Sequence, residues 1–409
     1  MATAMTGNLP AAEQSRADRL QVVRGVVALA ATFAATSALW YFFLDPNGVM
    51  KLYTPMYGFS LVVALVVTVV TLAHFAEGWP LHSSRLPIPV RGTLRTAAAV
   101  ALALIVVHGF FWSFLGRYGV TYFSPRAIVA AGGVGAEFFN ARENASTAIV
   151  YLGTAFLWVG LLVSTGLGGW PWQATTVGVR AFSRLATIGL LAVLAYAVLF
   201  HPHVSQLFYP AQTMAGVPPW WADFARTASA YFNLGWVMAS VAVLVVSDVL
   251  WDGWPWRIAG EAGPWRGLLA LLGSLTVGAA LFAASERGMN ASWGEAFQGG
   301  QYTDAPSFRH LHVAELAGFL VLAAYVLDTF LPRARTAGGR AIVTAAAVTA
   351  TAALHVFYYS TVATKLLGKV QGIAQPEDTP LVWTLLFLSV VLVVRDFFEG
   401  WPARARAES

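Results

Sequence analysis

Ten stretches of this chain are apolar over roughly 20 residues each, the length that crosses a bilayer's hydrocarbon core. They fall near residues 25–44, 57–77, 97–115, 146–168, 184–200, 229–250, 267–284, 313–331, 341–361 and 381–398. In lipid every backbone N–H and C=O must be satisfied internally, so such stretches fold as helices. The expected fold is all-α: a polytopic bundle of about ten transmembrane helices. The rest of the composition agrees. Charged residues are 11% of the 409 residues and apolar residues 57%, against about 25% charged in a soluble domain. That excludes a soluble enzyme and a disordered chain. The net charge of +5 does not imply nucleic acid, because the basic residues fall singly or in threes between apolar stretches.

Those basic residues give direction. One set of loops carries fifteen: Arg16, Arg19, Arg24, Arg85, Arg91, Arg95, Arg180, Arg184, Arg257, Arg266, Arg333, Arg335, Arg340, Arg404 and Arg406. The alternate set carries nine, spread over longer loops. By the positive-inside rule both termini are expected in the cytoplasm, with the chain multi-pass in the cell's inner membrane. No signal-peptide cleavage pattern stands out in the polar leader of residues 1–24.

The stops repeat. The chain reads Glu77-Gly78-Trp79-Pro80, Gly168-Gly169-Trp170-Pro171, Asp252-Gly253-Trp254-Pro255, Phe330-Leu331-Pro332 and Glu399-Gly400-Trp401-Pro402. Gly ends a helix, Pro cannot continue it, and Trp sits at the lipid–water boundary. Each stop closes one outgoing and one returning helix. The spacing predicts five helical hairpins at about 25–80, 97–171, 184–255, 267–332 and 341–402. They form a single domain over 25–402, flanked by tails at 1–24 and 403–409.

Candidate chemistry gathers at the opposite end. His108, His201, His203, His310, His312 and His355 lie at or beyond the outer helix ends, and only His74 and His82 lie toward the inside. His74 reads as an interfacial histidine and the spans as clean at mid-membrane, with Arg395 inside the tenth span near its end. His201-Pro202-His203 presents two imidazoles, with Asp223 following in the same loop. The segment from Glu286 to Glu315 reads as a loop dense in potential ligands, holding Asp304, His310, His312 and Glu315. An ionisable residue at membrane depth is functional by default. The chain has no Cys, so imidazole and carboxylate ligands favour copper, iron or zinc. The expected metal ligands are His310, His312, Asp304, Glu315, His201, His203 and Asp223, from two outer loops that meet. The opposing expectation is a salt bridge between Glu315 and Arg309 that only fixes the loop.

His201-Pro202-His203, then Trp220-Trp221-Ala222-Asp223, then Leu250-Trp251-Asp252-Gly253-Trp254-Pro255-Trp256 stand in an order similar to one membrane subunit of the copper membrane monooxygenases. Glu286, Asn290-Ala291-Ser292-Trp293-Gly294 and Ala305-Pro306-Ser307-Phe308-Arg309-His310 are similar to another. The chain thus resembles the particulate methane, ammonia and hydrocarbon monooxygenase family over residues 195–335. It departs from that family at two ligand positions, which here are Asn290 and Gly294. The resemblance implies a copper-dependent oxidoreductase subunit that hydroxylates a small molecule such as a hydrocarbon or ammonia beside other subunits. Two other classes stay open: a non-catalytic scaffold subunit, and a haem- or quinone-binding electron-transfer protein.

Overall fold

The computed structural model describes residues 11–81, 86–117, 123–132, 137–200, 230–293, 305–334, 336–358, 365 and 378–401. Among these there are eleven α-helices and no strand. They are α1 (Ala11–Leu39), α2 (Pro55–Val70), α3 (Ile88–Leu104), the short α4 (Pro125–Ala131), α5 (Phe138–Leu161), α6 (Val177–Leu199), α7 (Ala230–Trp251), α8 (Pro264–Trp293), α9 (Ala305–Phe330), α10 (Ala337–Tyr358) and α11 (Asp378–Leu392). Nine of the described helices are long and apolar enough to cross a membrane. The protein is an all-α, multi-pass membrane bundle.

Five helices form an inner ring. α2 packs on α5, α5 on α7, α7 on α9, α9 on α11, and α11 back on α2. The other five long helices lie outside, each over a groove of that ring. α1 covers α9 and α11, α6 covers α5, α8 covers α7, and α10 covers α9 and α7. α3 covers α2 and the turn that ends α11. Half or more of each of the α2, α5, α7 and α9 spans is buried, against about a fifth of the outer spans. The outer face is greasy: Phe182, Leu190, Trp265 and Ile342 each expose over 70% of their surface. So large an apolar exterior requires lipid. The inner contacts are close because small residues meet large ones. A Cβ on Gly160 of α5 would stand 2.2 Å from the Phe75 ring.

The Gly-Trp-Pro stops share one backbone. Two successive residues turn left-handed at Glu77 and Gly78, Gly168 and Gly169, Asp252 and Gly253, and Glu399 and Gly400, with φ between 51° and 87°. The tryptophan N–H then bonds the carbonyl three residues back at each of the four, at 2.9–3.3 Å. α2, α5 and α11 enter this turn through a five-residue π-helical stretch: Thr71–Phe75, Leu162–Gly166 and Val393–Phe397.

The arginines at the starts of the outer helices reach these stops. Glu77 pairs with Arg180 at 2.7 Å and Arg184 at 3.0 Å. Asp252 pairs with Arg340, and Glu399 with Arg91. Arg266 donates to the Thr165 carbonyl at 3.0 Å. Gly25 of α1 lies against the Phe330 carbonyl so closely that a Cβ there would stand 1.7 Å from it. In hairpin order these contacts run first to third, second to fourth, third to fifth, fourth to first and fifth to second. That is a constant step of two around a closed ring of five. Cations at helix C-termini are favoured by the helix dipole, so these arginines tie the ring together.

The sequence reading placed several helix starts too late. α3, α5 and α6 begin at Ile88, Phe138 and Val177, seven to nine residues before the expected 97, 146 and 184. Their first turns are polar and so lie outside an apolar window. The segment from Glu286 to Trp293 is helical rather than a loop, because α8 runs on to Trp293.

Candidate functional site

At the end opposite the Gly-Trp-Pro stops, α8 and α9 bring Glu286 and His310 together. The His310 Nε2 lies 3.4 Å from Glu286 Oε1. Phe282 of α8 and Phe232 of α7 flank the imidazole, each with ring centroids 5.3 Å away. His310 is 4% exposed. Its Nδ1 is buried and has no hydrogen-bond partner among the described residues. A carboxylate on Nε2 fixes the tautomer that leaves Nδ1 with a free lone pair.

Beside this pair lies an apolar cavity of about 180 Å³, between α7, α8, α9 and α10. Ser285, next to Glu286, and Val313, one turn after His310, line it with Ala239, Leu320 and Thr351. It is partly open, since Val348 in its wall is 54% exposed, and an apolar hollow of roughly this size accepts a small apolar molecule.

Three of the seven expected ligands are described. His310, His312 and Glu315 share α9, but a helix advances about 100° per residue. His310 and His312 are therefore roughly 200° apart and face opposite sides, while His312 and Glu315 share a side as an i, i+3 pair. Glu315 is buried and His312 half-buried. Among the described residues no three His, Asp or Glu side chains form a metal-sized group. His201, His203, Asp223 and Asp304 lie outside the described residues, as does the Arg309 side chain of the alternative salt bridge.

Two further contacts at the end opposite the Gly-Trp-Pro stops were not anticipated. Tyr57 Oη and His108 Nε2 are 3.0 Å apart. Glu143 of α5 caps the start of α2, accepting from the Thr54 hydroxyl at 2.8 Å, Met56 N–H at 2.7 Å and Tyr57 N–H at 3.4 Å.

Arg395 is not the lone charge in the expected spans, which also hold Asp248, Asp328 and Asp396. At the Gly-Trp-Pro end His74 Nε2 meets Asp396 Oδ2 at 3.0 Å, so it is paired rather than merely interfacial. Arg395 bonds Asp396 at 3.2 Å and Asp328 at 3.1 Å, and lies over the Tyr325 ring. Arg333 bonds Asp328 at 2.7 Å. Asp248 of α7 lies within electrostatic reach of His74, Arg395, Arg266 and Asp252. The signal for this cluster was present as single ionisable residues inside apolar spans.

Comparison with protein-family models, with curated proteins and with solved structures returned no match.

Proposed function

We propose that this chain is the integral membrane subunit of an oxidoreductase complex resembling the copper membrane monooxygenases, hydroxylating a small substrate at its outer end. One observation carries the reading: a buried imidazole, oriented by Glu286 and with Nδ1 free, stands beside an apolar cavity of about 180 Å³. An imidazole and carboxylate set fits copper. His310 would hold the metal through Nδ1, with His201, His203, Asp223 and Asp304 from the loops. His312 and Glu315 are a second pair on the other side of α9. Copper bound there would supply oxygen activation. The chain's own part is to orient His310 through Glu286 and to exclude water with Phe232 and Phe282. The cavity would hold the substrate, and its apolar wall favours a hydrocarbon over ammonia. The Gly-Trp-Pro end, with both termini, faces the cytoplasm in this reading, in keeping with the fifteen basic residues on that side. The five hairpins are one domain grown by duplication.

The test is copper per chain and hydroxylation in the purified complex, for wild type, His310→Ala and His312→Ala. Loss of copper and activity in His310→Ala supports the reading. Unchanged copper and activity in both variants would leave a scaffold subunit. A haem spectrum without copper would favour electron transfer.

A further inference from the structure

The fourth stop breaks the pattern of the others. Trp79, Trp170, Trp254 and Trp401 each precede the stop's proline, and Leu331 stands in that place before Pro332. No residue from Thr329 to Pro332 has a positive φ, so the chain leaves α9 without the turn the others share. In the first stop the tryptophan lies over the outer helix of the hairpin two steps on. A Cβ on Gly178 of α6 would stand 3.4 Å from Trp79 Nε1. The same step of two carries the fourth stop to α1, where Gly25 meets the Phe330 carbonyl.

There the helices leave a hollow of about 650 Å³ between α1, α7, α9 and α10. Leu331 borders it, with Val22 of α1, Leu250 of α7 and Val343 of α10. Pockets of about 300–1,000 Å³ hold drug-sized molecules. α1 and α10 are outer helices, and Val22 and Ile342, next to Val343, are exposed. The hollow therefore opens toward lipid. It lies where the spans Leu20–Leu44, Phe232–Trp251, His310–Phe330 and Ala337–Phe357 reach the Gly-Trp-Pro face. Arg333, Arg340 and Asp252 supply its charged wall. Arg333 is exposed and bonds Asp328, whose side chain is only 1% exposed. Arg340 bonds Asp252, whose side chain is 49% exposed. A guanidinium carries five N–H donors, so each arginine keeps donors for an oxygen anion.

We propose that this hollow binds a phospholipid whose headgroup carries a primary ammonium, the phosphatidylethanolamine class. The phosphate lies against Arg333 and Arg340, the ammonium reaches Asp252, and the acyl chains follow the apolar wall into the bilayer. Guanidinium groups suit a phosphate, and basic pockets between membrane helices hold lipid headgroups. Asp252 decides which headgroup. One of net negative charge would set a second anion beside that carboxylate, and a trimethylammonium has no N–H to give it. A free phosphate would leave the apolar wall in water. The lipid stands at the one stop that lacks a tryptophan, between Leu331 and α1. The site is independent of the copper reading at the other end of the ring.

The test is native mass spectrometry of the full-length chain in detergent. Phosphatidylethanolamine, phosphatidylglycerol and phosphatidylcholine with the same acyl chains are added in turn, and inorganic phosphate serves as a chain-free probe. The expected result is one phosphatidylethanolamine bound at least about ten-fold more tightly than either other lipid or phosphate. Arg333→Gln should weaken it at least about ten-fold, the size of one charge-assisted hydrogen bond. Leu331→Trp restores the residue of the other four stops, fills the hollow and should abolish this binding. Val22→Trp should do the same from an exposed position on α1. Equal binding of the three lipids, or a preference for either of the other two, would overturn the proposal. So would phosphate bound as tightly as the lipid, or lipid binding that any of the three variants leaves unchanged.

Discussion

Replacing Glu143 by Ala should loosen the start of α2. Thr54 precedes that helix but does not cap it with its own side chain. The first free N–H groups are met instead by a carboxylate 86–89 residues downstream in sequence. The Met56 N–H bond at 2.7 Å is short and charge-assisted, whereas the Tyr57 bond at 3.4 Å is weak. A hydrogen bond to a charged group contributes about 1.5–3 kcal/mol, and the carboxylate's position at a helix N-terminus adds about 0.3–1 kcal/mol. Water at the membrane boundary recovers part of this. The net loss should be about 1–3 kcal/mol, or roughly a 5- to 150-fold shift in the unfolding equilibrium. Reversible unfolding in mixed micelles measures it. Glu143→Gln retains one acceptor and should lose about half as much. A change below about 0.5 kcal/mol in Glu143→Ala, the usual size for an uninvolved surface site, would refute the capping argument.

Gly160→Ala places a methyl 2.2 Å from the fully buried Phe75 ring. It should destabilise the chain by about 1–3 kcal/mol, with part regained on adding Phe75→Leu in the same unfolding assay. Val348 lines the apolar cavity from α10 but is 54% exposed, so Val348→Phe should fill the cavity without disturbing the ring. Hydroxylation of a small hydrocarbon should fall about 10- to 200-fold, with copper content unchanged.

The apolar spans and their stops were legible because both are local: length and hydropathy set the one, and Gly, Trp and Pro set the other. What the stops bind was not. Arg91 meets Glu399 across 308 positions, and Arg340 meets Asp252 across 88. Only the ring brings such pairs together, so these arginines read as topology signals alone. Single charges such as Asp248, Asp328 and Asp396 vanish in a window average, although each is visible residue by residue. His310 and His312 look like one motif in sequence, and the helical period separates them. Glu286 looked like a loop residue because its neighbours are polar, yet α8 continues past it and sets it against His310. That pairing joins two helices across the interval between α8 and α9, which no local pattern reveals.

X-ray absorption at the copper edge of the purified complex tests the central claim most directly. The account predicts copper bound by imidazole nitrogen and carboxylate oxygen, at about 2.0–2.2 Å if zinc distances are a guide. One imidazole contribution should be lost in His310→Ala. A spectrum identical in wild type and His310→Ala, or a wild-type complex without copper, would contradict it.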